Sequence, residues 1–172
     1  MSSAEITNLD ALRDTLADLA QWSSWTGLAT TAERLDRIAC PELDDAAALP
    51  AISVDFGAGR RVNSSGSDPE SNFRPFGRMV VSVYDLDDES DGTLTERYRA
   101  FADKFFELMD QLAAAQGPVI VNNLAYPEPP IVRTPVNIFG AQDANADGID
   151  DATEVLIWVG VFSFDWGGPP ES

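Results

Sequence analysis

The stretch VLIWVGVFSFDW, residues 155–166, constrains the fold more than any other segment. It reads as a strand of about twelve residues. Leu156, Trp158, Phe162, Phe164 and Trp166 share one face, while Ser163 and Asp165 turn the opposite face polar, so that end is expected to be half exposed. A face this apolar needs a covering layer, and a helix laid on a sheet is the simplest way to supply one.

The covering helix is equally legible. Thr93-x-x-Glu96 is a capping box, and Tyr98, Phe101, Ala102, Phe105, Leu108, Met109 and Leu112 form one stripe at helical spacing. Gly117-Pro118 is the expected stop signal. Ile52, Val54 and Phe56 alternate with Ser53 and Asp55, Met79 to Tyr84 reads as a second strand, and VIVNNL (119–124) as a third. In YPEPPIVRTPV, residues 126–136, four prolines exclude a central strand. At the N-terminus, Ile6, Leu9, Leu12, Leu16, Leu19 and Ala20 mark a helix over roughly 4–20. Trp22, Trp25 and Gly27 follow as an aromatic turn. Thr30-x-x-Glu33 then caps a short helix carrying Leu35, Ile38 and Ala39, which Pro41 stops before a linker over 41–50. The order α-α-β-β-α-β-β implies an α+β fold: a four-stranded, mostly antiparallel sheet packed by one long helix, with an N-terminal helical pair. One domain accounts for all 172 residues. Residues 1–40 form its helical region and 51–166 its sheet and long helix, with long loops at 57–75 and 141–154.

Composition narrows the chemistry. Acidic residues number 29 against 11 basic, a net charge of −18, with a pI near 4.1. Lys104 is the only lysine. No cationic excess exists to displace counterions from nucleic-acid phosphates, nor to dock on anionic lipid. An apolar content of 44%, with sixteen aromatic residues, argues against disorder. Two compatible explanations remain for the acidity. One is adaptation to high salt, where self-repulsion is screened over about 3 Å at 1 M. The other is a surface that repels nucleic acid or binds cations. The chain has no histidine, the usual general base near neutral pH and the commonest transition-metal ligand. Its single cysteine, Cys40, excludes an internal disulfide and is expected to pack as a small apolar residue. No apolar run approaches a membrane span, and MSSAEITNLD carries no basic leader, so assembly in a reducing cytoplasm is expected.

The sharpest motif is DANADGIDDATE, residues 143–154, which fits the calcium-loop pattern D-x-[DN]-x-[DN]-G-x5-E without a mismatch. Calcium takes six to eight oxygens, and alternate side chains of such a loop converge on one point. Asp143, Asn145 and Asp147 are the candidate side-chain ligands, and Ile149 the carbonyl donor. Asp151 would act directly or through water, and Glu154 would close the shell; Gly148 would permit the turn. The loop resembles those of EF-hand, dockerin and thrombospondin type 3 kinds, but flanking helices are missing and position 8 is Asp150. A solvated acidic hairpin loop is the competing reading. A second motif, MVVSVYDLDD, resembles the nucleophile motif of haloacid-dehalogenase-like phosphatases, with Asp85 as nucleophile and Asp87 as acid. It comes too late in the chain for that fold, and Lys104 falls inside a helix. Gly57-Ala-Gly59 lacks the third glycine of a dinucleotide site, and Ser64, Ser65 and Ser67 have no histidine to activate them. Arg60 and Arg61 read either as solvated loop charge or as partners for an acidic neighbouring subunit.

Taken together, the leucine helix LRDTLADLAQWSSWTG, the AERLDRI helix, the LPAISVDFG and RPFGRMVVSVYD strands, the helix TLTERYRAFADKFFELMDQLAAA and the closing FSFDWG resemble tail terminator (tail-completion, neck) proteins of long-tailed phages and related archaeal viruses. That resemblance covers nearly the whole chain; the calcium-type loop would be an insertion between the last two strands. It implies a non-enzymatic virion protein, assembled in the host cytoplasm, that forms a homo-oligomeric, typically hexameric, ring at the head-proximal end of the tail. Its implied partners are the tail tube protein and the head connector, and DNA passes through the lumen without specific binding. Residues 57–75 and 141–154 are the candidate contact segments. A calcium-dependent binding or adhesion module using 143–154 is the alternative, and a small hydrolase using Asp85 a third.

Overall fold

A computed structural model describes residues 3–40, 48–56, 77–115, 121–126, 130–139 and 152–166. Three helices open the chain: α1 (Ser3–Asp18), α2 (Ala20–Thr26) and α3 (Thr31–Leu35). Leu19 takes an extended backbone between α1 and α2, which splits the expected single helix. The tryptophans therefore sit on a helix rather than in a turn. That helix ends at Gly27, whose φ of 66° is left-handed and natural only for glycine, with its N–H returning to the Ser23 carbonyl. The Thr30–Glu33 capping box forms as expected and starts α3.

Strands β1 (Ile38–Ala39), β2 (Ala51–Phe56) and β3 (Gly77–Leu86) follow, then α4 (Leu94–Ala114), β4 (Asn122–Ala125), β5 (Ile131–Phe139) and β6 (Ala152–Trp166). The architecture is α+β, but the sheet is mixed and has six strands, not four. Its order is β1-β2-β3-β6-β4, with β5 also paired to β6. Only β1–β2 is parallel. Ile38 and Ala39 thus belong to the sheet edge, beyond the end of α3 at Leu35.

The end of the proline-rich segment, from Ile131, belongs to β5, and the geometry explains how Pro135 is tolerated there. Asp87 N donates to Leu156 O at 2.9 Å, so the Leu156 peptide groups face the β3 side of β6. Pro135 lies opposite Leu156, hence at a position whose N–H would point away from β6. No ladder bond is lost there, and β5 is an edge strand as proline requires.

Register places Ile52, Val54, Met79, Val81, Val83, Trp158, Phe162, Phe164 and Ile131 on one face, where they form a single core with the helices. Helix α4 covers this face through Phe101, Phe105, Leu108, Met109 and Leu112. Gly160 leaves room for the Phe105 ring, which a Cβ would meet at 2.6 Å. Tyr98 lies at the rim of the α4 stripe, 39% exposed, edge-on to Trp158. Three further expectations change. Cys40 is exposed at the end of β1 rather than packed. Asp165 is buried, and Arg78 Nε reaches it at 3.3 Å, so the polar end of β6 is less open than its sequence suggested. The third strand begins at Asn122, three residues later than expected. Gly117-Pro118, the loop 57–75 and most of the linker 41–50 lie outside the described residues.

Candidate functional site

Where β3 runs out, the chain turns into α4 through an acidic stretch, and a cleft of about 270 Å³ opens there. Asp85, Asp87, Asp88, Asp91 and Lys104 contribute to its lining over an aromatic floor of Phe101 and Trp158. Register puts Asp85 opposite Trp158 on the helix-covered face, which turns its side chain toward the helices. There it accepts from Trp25 Nε1 at 2.7 Å, while its other oxygen accepts from Leu86 N at 2.8 Å. Lys104 Nζ stands 5.7 Å from the centroid of the Trp25 ring, within cation–π range.

Asp87 organises the site. Its side chain is fully buried, yet it accepts from Arg97 Nε and from Arg133 Nε, both at 2.6 Å. Arg97 belongs to the first turns of α4 and Arg133 to β5, so one carboxylate ties the end of β3 to both. The guanidinium groups are held in turn: Arg97 Nη1 donates to Gly92 O at 2.6 Å and Arg133 Nη2 to Glu89 Oε1 at 2.9 Å. Burial alone would raise the Asp87 pKa, but the two arginines outweigh it and hold the carboxyl below its ordinary range. Asp87 in return pushes the Arg133 pKa up. Asp88 is lowered by the Ser90 hydroxyl and N–H, and Glu96 by the Thr93 N–H it caps.

Both aspartates of the MVVSVYDLDD motif are drawn into structural contacts: each oxygen of Asp85 accepts one hydrogen bond, and Asp87 is shared by two arginines. Lys104 does line the same cleft, a proximity that its position within a helix concealed.

Of the candidate calcium ligands, Asp143, Asn145, Asp147, Ile149 and Asp151 lie outside the described residues. Glu154 is an exposed residue of β6 opposite Asn137. Among the described residues, no group of three or more histidine, cysteine, aspartate or glutamate side chains could hold a metal ion.

A second constellation escaped sequence reading. Arg34 is buried without a carboxylate partner among the contacts that hold it: Nε donates to Ala17 O at 2.7 Å, Nη1 to Leu28 O at 3.0 Å and Nη2 to Thr31 Oγ1 at 3.1 Å. Its own carbonyl accepts from Trp22 Nε1 at 3.4 Å. The side chain thus ties α1 and α3 to the connection between α2 and α3, and the Arg34 backbone adds a link to α2. The only signal was an arginine on the helix face expected to be apolar.

Comparison of the chain with protein-family models gives no match, and comparison with curated proteins gives none either.

Proposed function

We propose that this chain is a virion structural protein of the tail-terminator kind. In this reading a ring of copies, six in the usual form, sits at the head-proximal end of the tail tube. It stops tube polymerisation and joins the tail to the head connector. The observation that carries the reading is the arrangement of elements from α1 to β6. A helical N-terminal region and one long helix share a single face of the sheet, and the long closing strand lies inside it, between β3 and the β4 and β5 strands. The charged cleft adds support, because Asp85 and Asp87 are engaged in holding α2, α4 and β5 in place. The acid surplus suits a lumen through which DNA slides without sticking.

The test mixes the full chain with the tail tube protein encoded by the same virus and images the product by negative stain. Capped tubes of limited length are expected. Tubes that grow equally long with and without the chain would refute the reading.

A calcium-dependent module remains the second reading, and the β5–β6 register favours it. Phe139 lies opposite Ala152, so the ends of the connection 140–151 are held side by side, and the motif 143–154 runs from that connection into β6. Calorimetric titration with calcium, using Asp147→Ala as control, separates the two readings. Heat that the substitution abolishes supports the loop, and its absence in the unaltered chain removes it.

A further inference from the structure

Strand β6 is longer than its neighbour. Pairing with β3 ends at Leu86–Ile157, and one further backbone bond joins Asp87 N to Leu156 O. Strand β5 accompanies β6 to Phe139–Ala152. Residues 152–156 and 135–139 therefore form a two-stranded ribbon beyond the sheet, about 17 Å long at 3.4 Å per residue. Such a ribbon is marginal in water on its own.

Alternation fixes where its peptide groups point. The Leu156 carbonyl faces the β3 side, so the N–H and C=O of Glu154 and Ala152 face that side too, where β3 no longer runs. Among the described residues nothing pairs with them. Among the described residues, two other edges are protected. On β5 the outward positions include Pro135, which has no N–H to offer. On β1 the Ile38 carbonyl is taken by Arg13 Nε at 3.2 Å.

The geometry points to strand addition between copies of this chain: the open β6 edge at Ala152–Glu154 of one protomer pairs with the outer edge of β4, Asn122–Ala125, of the next. This rests on the ring reading proposed above and names its joint. Main-chain pairing asks for no charge complementarity, which a chain of net charge −18 cannot offer itself. Pairing of the β6 edge with its own copy about Glu154 would set like charges directly opposite, so a head-to-tail joint is favoured. Strand β4 is the remaining edge, paired to β6 near residues 163–165, at the other end from the ribbon. It is flanked by Tyr126 and Phe106, 45% and 36% exposed and packed edge-on at 5.9 Å, the residue type that anchors interfaces. Two different edges at opposite ends of the molecule make a heterologous contact, which closes into a ring or runs on as a filament.

The test is light scattering after size exclusion on the full chain and on Glu154→Pro, which removes an outward N–H but no bond within the ribbon. The unaltered chain is expected at a multiple of 18.6 kDa and Glu154→Pro at 18.6 kDa with unchanged circular dichroism. Asn137→Pro, which removes an N–H on the already blunted edge, should keep the multimer. Hydrogen exchange on the unaltered chain needs no variant: the Glu154 amide should be protected in the multimer and exchange freely on dilution to monomer. An intact Glu154→Pro multimer, fast exchange at Glu154 within the multimer, or an unaltered chain that stays monomeric at low and high salt would each overturn the joint. Capped tubes formed by a multimer that does not use Glu154 would sink the joint alone. A Glu154-dependent multimer that ignores tube protein would sink only the terminator reading.

Discussion

Gly160 is the position where the packing of α4 on the sheet leaves least room. A Cβ there would stand 2.6, 2.7 and 3.0 Å from Cε2, Cδ2 and Cζ of Phe105. Ordinary contact begins near 3.4 Å, so the ring must retreat by about 0.8 Å, the difference between 3.4 and 2.6 Å. It has little freedom to do so. Phe105 is fully buried, stacked on Phe101 at 6.1 Å and edge-on to Phe162 at 5.8 Å. Either the ring leaves its rotamer or α4 lifts from β6, and overpacking of this kind costs about 1–3 kcal/mol. Alanine loses less backbone entropy on folding than glycine, which offsets about 0.5–1 kcal/mol. The net loss for Gly160→Ala is up to about 2.5 kcal/mol, or up to about 10 °C in Tm for a chain of this size. Thermal melts of a double-mutant cycle with Phe105→Leu test the cause. The shorter side chain should remove the clash, so Gly160→Ala becomes neutral or stabilising in that background, a coupling on the order of 1–2 kcal/mol. An equal loss in both backgrounds, or a rise in Tm from Gly160→Ala alone, would refute the account.

Asp87→Ala removes the carboxylate shared by Arg97 and Arg133, each of which keeps one other acceptor, and should cost about 1–3 kcal/mol, read by urea denaturation. Asp87→Asn tests the charge. The folded pKa of Asp87 lies below its unfolded value of about 3.9, so its stabilisation is present above that pH and is lost as pH falls through the folded pKa. The stability gap between the unaltered chain and Asp87→Asn should therefore narrow in acid, and a gap that widened below about pH 4 would contradict it. Thr93→Ala breaks the α4 capping box and should cost about 1 kcal/mol by denaturant melt, whereas Thr93→Ser should retain most of it. Calcium should raise Tm only if the 143–154 loop binds it, and Glu154→Gln should then weaken the effect; an equal shift in both chains would mean that the ion acts elsewhere.

Helix α4 was readable because every local signal agreed: a capping box, a stripe at helical spacing and charged residues on the outer face. Strands β2, β3 and β6 were readable from alternation. Strand β5 was not, because proline composition cannot say which way a missing N–H would point, and that direction is set by pairing to β6 across the intervening loop. The short β1 depends on a parallel partner fourteen residues on, and no local pattern announces it. The same limit applied to the site. Asp87 was legible as an acidic residue after a strand, but its partners lie ten and forty-six residues away. Only the fold brings Arg97 and Arg133 to one carboxylate, which ties the end of β3 to α4 and β5.

The placement of cations explains why the chain stays so acidic. Arg13 is bound to the Ile38 carbonyl, Arg37 to the Pro50 carbonyl at 3.4 Å and Arg34 to three polar groups of the helical region. Arg78 faces Asp165, and Arg97 with Arg133 share Asp87. Guanidinium groups suit these tasks, since five donors in a fixed fork can serve several acceptors at once, which an ammonium on a flexible stem does less well. Among the described residues these arginines serve mostly backbone carbonyls and the buried Asp87 and Asp165, with Asp10 and Glu89 as exposed carboxylate partners. Two copies then approach through like-charged surfaces, and screening by salt weakens that repulsion without touching the buried Asp87 cluster. A contact made by backbone groups of an open strand edge is the kind of joint such a surface still permits.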